Sequence, residues 1–186
     1  MGVGATIAGM GADGDLAAGD FGEWLAGMRA AIRGERDADV DCVGCSACCT
    51  AGQFVHIAPD ETATLARIPR RLLFPAPLMP EGHVVIPHDA RGHCPLLVGG
   101  LCSIYEDRPR TCRTYDCRVF AATGVVPDDG LIAERAARWR FTYASAADRA
   151  EHAGMRTTAV AIRERTEGVN ATERAVRALE AADAAR

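Results

Sequence analysis

The sequence predicts an α+β protein: a small irregular cysteine-cluster domain with short strands and a hairpin, flanked by N-terminal and C-terminal helices. Three observations carry this. All eight cysteines of the 186-residue chain lie between residues 42 and 117. Apolar residues recur with helical spacing on both sides of that stretch. Inside it, short apolar runs alternate with Gly and Pro.

Residues 1–19 are rich in Gly and Ala without a sustained period and are expected as a flexible arm. They include GMGADG, a literal GxGxxG at Gly9, Gly11 and Gly14, but a dinucleotide site needs a strand before it and a helix after it. A helix is expected from Asp20, its N-cap, with Glu23 completing a capping box and Phe21, Trp24, Leu25, Met28 and Ile32 on one face. Gly34 can end it. After the first cysteine cluster, QFVHIA reads as a strand. PDETATLARIP then reads as a helix with Pro59 in its first turn, Asp60 and Glu61 favouring its start, and Pro69 stopping it. The prolines of LLFPAPLMPEG make an extended apolar cover for the core. HVVIP reads as a strand, HDARG as a turn, and CPLLVGGLCSIY as a hairpin turning at Gly99 and Gly100, which would hold Cys94 near Cys102. From Asp128 onward the chain is expected to be helical. Ile132, Ala136 and Trp139 share one face, Met155, Ala159 and Ile162 another, and a last helix is capped by Asn170 with Glu173 ahead of Val176 and Leu179.

Charge excludes more than it suggests. The 25 acidic and 21 basic residues leave a net charge of −4, which predicts neither nucleic-acid binding nor a polybasic membrane anchor. Every basic residue is Arg. Without Lys there is no P-loop lysine, no Schiff-base lysine and no kinase-type nucleotide lysine. The N-terminus lacks the charged and apolar regions of a signal peptide, and no run reaches the roughly 18 apolar residues of a membrane helix. A cytoplasmic location follows as the expectation, and in a reducing compartment clustered thiols point to metal or redox chemistry rather than to disulfides.

The thiols form two groups: Cys42, Cys45, Cys48 and Cys49 in CVGCSACC, then Cys94, Cys102, Cys112 and Cys117. Two residues between cysteines let the chain fold back so that both sulfurs face one ion. The triple CxxCxxC is like the run that holds three corners of a cubane cluster in bacterial ferredoxins, and the Cys94–Pro95 dipeptide fits a remote fourth ligand. Zinc accepts the same four-thiolate set. Cys48 and Cys49 are adjacent and point apart, so Cys49 serves a second centre or the packing around the first. Arg108, Arg110, Arg113 and Arg118 are interleaved with the second group. Guanidinium donors there would offset the net −2 of four thiolates around a divalent centre, with Arg108 and Arg113 as the leading candidates; pairing with Glu106, Asp107 and Asp116 is the alternative use. Of the nearby histidines only His93, next to Cys94, merits testing as an alternate ligand.

CVGCSACC followed by GHCPLLVGGLCSIYEDRPRTCRTYDC resembles the YkgJ-type cysteine-cluster family, also called the CxxCxxCC zinc- or iron-chelating domain family, over roughly residues 40 to 120. The resemblance implies a bound metal. A flagellin lysine N-methylase belongs to the same broad group and looks like an iron–sulfur protein, but it is larger, and its methyl transfer is not carried over. The expectations are then a metal-stapled domain over residues 20–142, a helical extension over 143–186 packed on it, and a 4Fe–4S cluster or zinc held in a structural or redox role. A metal-dependent enzyme using an open cluster position or a free cysteine, and a metal store or thiol redox sensor, are the alternatives. No catalytic residue, protein partner or small-molecule substrate is legible.

Overall fold

The computed structural model describes residues 14–38, 40, 45–163 and 169–184; Cys42, Gly9 and Gly11 lie outside them. In chain order the elements are β1 (Leu16–Asp20), α1 (Phe21–Ile32), β2 (Val55–Ile57), α2 (Thr62–Arg67), β3 (Phe74–Pro75), β4 (Val84–Ile86), β5 (Leu97–Val98), β6 (Leu101–Cys102), α3 (Arg110–Thr114), α4 (Arg118–Thr123), α5 (Gly130–Ala136), β7 (Trp139–Thr142), α6 (Ala146–Arg163) and α7 (Ala171–Ala184). This is the expected mix of short strands between terminal helices. The chain divides into two units. The first draws on the chain up to Ala26, on Cys117–Asp128 and on the chain from Ala133 on; the second on Gly27–Asp116 and Asp129–Ile132.

In the first unit β1 pairs in parallel with β7, Leu16 opposite Trp139 and Asp20 opposite Thr142. Two expectations change here. Leu16–Gly19, read as the end of an arm, lies in strand β1, and Gly14 leads into that strand. Trp139, read as helical with Ile132 and Ala136, lies in β7, where aromatic side chains suit a half-buried pleat. Asp20 joins the two strands' ends: its carboxylate accepts the Glu23 N–H at 3.1 Å as the α1 cap and the Ala144 N–H at 2.7 Å. Phe21, Leu25, Phe120, Met155 and Leu179 are buried. α7 buries Ala171, Ala175 and Ala178, whose spacing sets three small side chains on one face and allows close helix approach. Its cap is as expected, with Asn170 Oδ1 accepting the Glu173 N–H at 2.9 Å.

In the second unit β4 is the centre of a three-stranded antiparallel sheet ordered β2-β4-β3. Ile57 and Ile86, on the inward face, join Ile68, Leu96 and Ile104 in one core cluster, against which Cys94 and Cys102 pack. β5 and β6 form the expected hairpin, with Gly99 at φ 60° and Gly100 at φ 82°, backbone angles that glycine adopts without steric penalty. α1 ends in a Schellman motif: Gly34 at φ 73° donates to Ala31 O and Glu35 donates to Ala30 O. The apolar stripe shifts at that end, so Ala31 is buried and Ile32 is 37% exposed. α2 starts at Thr62 with Glu61 as N-cap, leaving Pro59 outside the helix. LLFPAPLMPEG covers the core only in part. Leu72 and Leu73 pack on the core cluster, whereas Phe74, Leu78 and Met79 face solvent.

Candidate metal centre

Three separate segments of the second unit bring thiols together. The first is the single 3-10 turn Cys48–Thr50, fastened by the Thr50 hydroxyl on the Ser46 and Ala47 carbonyls. The second is the approach to the β5–β6 hairpin. Here Asp89 makes the turn: its carboxylate accepts the N–H groups of His93 and Arg91, which, with the Arg91 guanidinium, hold its pKa down at about 2. The first and second segments are stitched by backbone, Cys94 N–H to Cys49 O at 2.7 Å and Gly52 N–H to Gly92 O at 2.8 Å. A Cβ on Gly92 would lie 3.6 Å from Gly52 backbone atoms, and at φ 80° any other residue is strained.

The third segment is α3, which carries Cys112. Pro109 precedes the helix with an extended backbone, and its carbonyl accepts the Cys112 and Arg113 N–H groups at 2.8 and 3.0 Å. The helix start is tied to α2 by Glu61, a buried carboxylate that accepts the Ala58 N–H at 2.9 Å and the Arg110 N–H at 2.5 Å. Asp60 adds an ion pair with the Arg110 guanidinium at 2.7 Å. The Thr111 hydroxyl donates to His56 O at 2.8 Å, which adds a tie to β2. Asp60 and Glu61 were assigned by sequence to a helix start alone; their partner lies about 50 positions downstream, and no local pattern announces it.

The electrostatics place four sulfurs in one neighbourhood. Burial pushes the Cys112 thiol up to about 12, and the nearby Cys49, Cys94 and Cys102 sulfurs further oppose its ionisation, while the Arg108 guanidinium acts the other way. Cys94 is raised by burial and by Cys102, against the N–H groups of Leu96 and Leu97. A set of half-buried thiols that repel one another as thiolates is the donor chemistry a soft divalent or cluster iron neutralises. The donor type fits such a group. Among the described residues, however, no three His, Cys, Asp or Glu side chains are already drawn together closely enough to hold an ion. Cys45, half-buried, and Cys48, exposed, lie in the same unit.

Arg108 sits 4.2 Å over the Tyr105 ring and donates to Tyr105 O. Arg113 meets Asp37 at 3.1 Å and donates to Arg108 O, while its own carbonyl accepts the Ala38 N–H, fastening the chain ahead of the first cysteine group to α3. Asp107, offered by sequence as an arginine partner in this segment, pairs instead with Arg67 at 3.3 Å. Cys117 belongs to the first unit, where it is buried and its Sγ accepts the Trp139 indole N–H at 3.2 Å. Sequence reasoning missed that contact.

One family model, CxxCxxCC, described as "putative zinc- or iron-chelating domain", matches residues 41–129. No curated protein and no solved structure matches the chain. No helix among the described residues is long and apolar enough to cross a membrane.

Proposed function

We propose, from the match of residues 41–129 to the CxxCxxCC zinc- or iron-chelating domain model, that the chain binds a metal centre through clustered thiolates, as a 4Fe–4S cluster, in a structural or redox role. The observation that carries this reading is the coupling of Cys112 to Cys49, Cys94 and Cys102, sulfurs from three segments that only folding brings near one another. Those four are the first candidates to hold the group, with Cys42, Cys45, Cys48 and Cys117 as candidates from the motif. The cubane is preferred over zinc because CxxCxxC with a remote Cys-Pro suits three cluster corners plus one.

When bound, the centre supplies cross-linking and, as an iron–sulfur cluster, one-electron chemistry. The chain's own part is to bury the sulfurs, align α3 through Glu61, and set Arg108 where its charge stabilises thiolate. Thiols clustered at CxxC spacing suit a reducing compartment such as the cytoplasm. The test is anaerobic purification with iron, acid-labile sulfide and zinc analysis and a visible spectrum. Brown protein with iron and sulfide supports the cluster. Colourless protein with stoichiometric zinc replaces it by the zinc form, and metal-free folded protein overturns the reading.

A further inference from the structure

The loop that joins β3 to β4 is closed by the Ala76 N–H on His83 O at 3.0 Å, and at its tip the Met79 N–H reaches back to Ala76 O at 3.4 Å. Pro77 is the second residue of that turn and Leu78 the third, at φ 61°. A turn with Pro second takes Gly third, because any other side chain is strained there. Leu78 is the one non-glycine among the described residues with positive φ, and its relative exposure of 105% leaves the side chain wholly in water. Folding gains nothing from either property, since a glycine would relieve the strain and remove the wetted apolar group. Met79 beside it is 45% exposed. Phe74, 48% exposed, pairs with Val85 of β4, whose neighbours Val84 and Ile86 turn into the core, so Phe74 and Val85 face away from it. Pro75, Pro77 and Pro80 restrict the backbone around these side chains, so the loop presents them without first having to be ordered.

Charge singles out the same place. Arg67, Arg91, Arg110 and Arg113 of this unit each meet a carboxylate, that of Asp107, Asp89, Asp60 and Asp37 in turn. Arg70 and Arg71, in the 3-10 turn that leads into β3, have no such partner among the described residues. Glu81 is the only acid of residues 70–81, so this segment is net positive in a chain whose total charge is −4. We propose that the hairpin tip docks on the surface of an anionic phospholipid bilayer, with Leu78, Met79 and Phe74 entering the boundary between headgroups and acyl chains and Arg70 and Arg71 meeting lipid phosphates. Three apolar side chains and two guanidinium groups offer far less than the roughly 800 Å² per partner of a standard protein complex. A bilayer asks for no matching shape, and its affinity grows with the apolar groups inserted and the basic groups at its surface. The contact is peripheral, since no helix among the described residues is long and apolar enough to cross a membrane, and it does not depend on the metal.

The test sediments the full chain with vesicles of phosphatidylglycerol and phosphatidylcholine in equal parts, and with vesicles of phosphatidylcholine alone. The parent should bind the anionic vesicles, and lose that binding in about 1 M salt, where the screening length falls to about 3 Å. Leu78→Gly removes the strain and the inserted side chain together, so it should fold as stably as the parent and bind at least about tenfold more weakly. Arg70→Gln combined with Arg71→Gln should weaken binding about 30-fold. A nitroxide carried on the lipid should broaden the Met79 methyl resonance, assigned with Met79→Leu, and leave that of the buried Met155 sharp. Parent protein that stays in solution, Leu78→Gly that binds as the parent does, equal binding to both kinds of vesicle, or a tip held by another protein while vesicles are ignored would each overturn the inference.

Discussion

Glu61 offers the sharpest test of how the thiol-bearing helix is held. Its carboxylate is 7% exposed and accepts two backbone N–H groups, those of Ala58 and Arg110. Truncation to Ala leaves both donors without their acceptor in a part-buried site. Hydrogen bonds to a charged group contribute about 1.5–3 kcal/mol each. Water re-solvating the opened site recovers some of this, so Glu61→Ala should lose roughly 2–4 kcal/mol of stability. Glu61→Gln keeps one acceptor oxygen but turns an NH2 donor toward a backbone donor, and should lose about half as much. Asp60→Asn, which touches only the solvent-exposed pair with Arg110, should change little. The assay is urea unfolding of the metal-free protein, read together with amide exchange at Arg110. In Glu61→Ala the Arg110 amide should exchange at least about tenfold faster, the factor that corresponds to about 1.4 kcal/mol. Stability within about 0.5 kcal/mol of the parent and unchanged exchange at Arg110 would refute the claim that Glu61 fixes α3.

Three further outcomes follow from the same geometry. Cys112→Ser and Cys94→Ser should each bind metal more weakly by at least about 100-fold, beyond the usual loss from an outer group, in a competition titration against a chelator; full affinity in both would exclude them as ligands. Metal-free protein should lose stability as pH rises from the ordinary thiol value of 9.0 toward about 12, because unfolding frees Cys112 to ionise; the slope from this thiol is at most about 1.4 kcal/mol per pH unit, and urea midpoints of Cys112→Ser that follow the same curve would refute it. His152 stacks on Phe21 at 4.5 Å with its Nδ1 2.8 Å from the Tyr143 hydroxyl, and burial, seconded by Arg156, holds its pKa below 6.5 against the Ala121 and Ala122 carbonyls. Stability present above pH 6.5 should therefore fall with acid as the imidazole is forced to charge, and His152→Gln should flatten that limb in thermal melts between pH 7 and pH 5.

Local chemistry was legible and long-range pairing was not. The caps at Asp20 and Asn170 and the Gly99–Gly100 turn depend on residues within a few positions of each other, so their patterns stand in the sequence itself. Trp139 shows how a pattern misleads. Ile132, Ala136 and Trp139 keep helical spacing, but α5 stops at Ala136, and pairing with β1, more than a hundred residues away, decides the conformation of Trp139. Glu61 was hidden for the same reason, since its second donor is 49 positions downstream. The cysteine motif was readable as a thiol-rich site because spacing limits which sulfurs can share an ion. Metal identity was not, because iron and zinc accept the same spacing.

The parallel pairing of Leu16–Asp20 with Trp139–Thr142 has a temporal consequence. During synthesis the N-terminal strand waits for a mate that emerges about 120 residues later, roughly 6–24 s at about 5–20 residues per second. Nearly all of the thiol-bearing unit, Gly27–Asp116, leaves the ribosome inside that interval. Its three sulfur segments can therefore meet, and be loaded, before the strand ladder that shelters Trp139 exists.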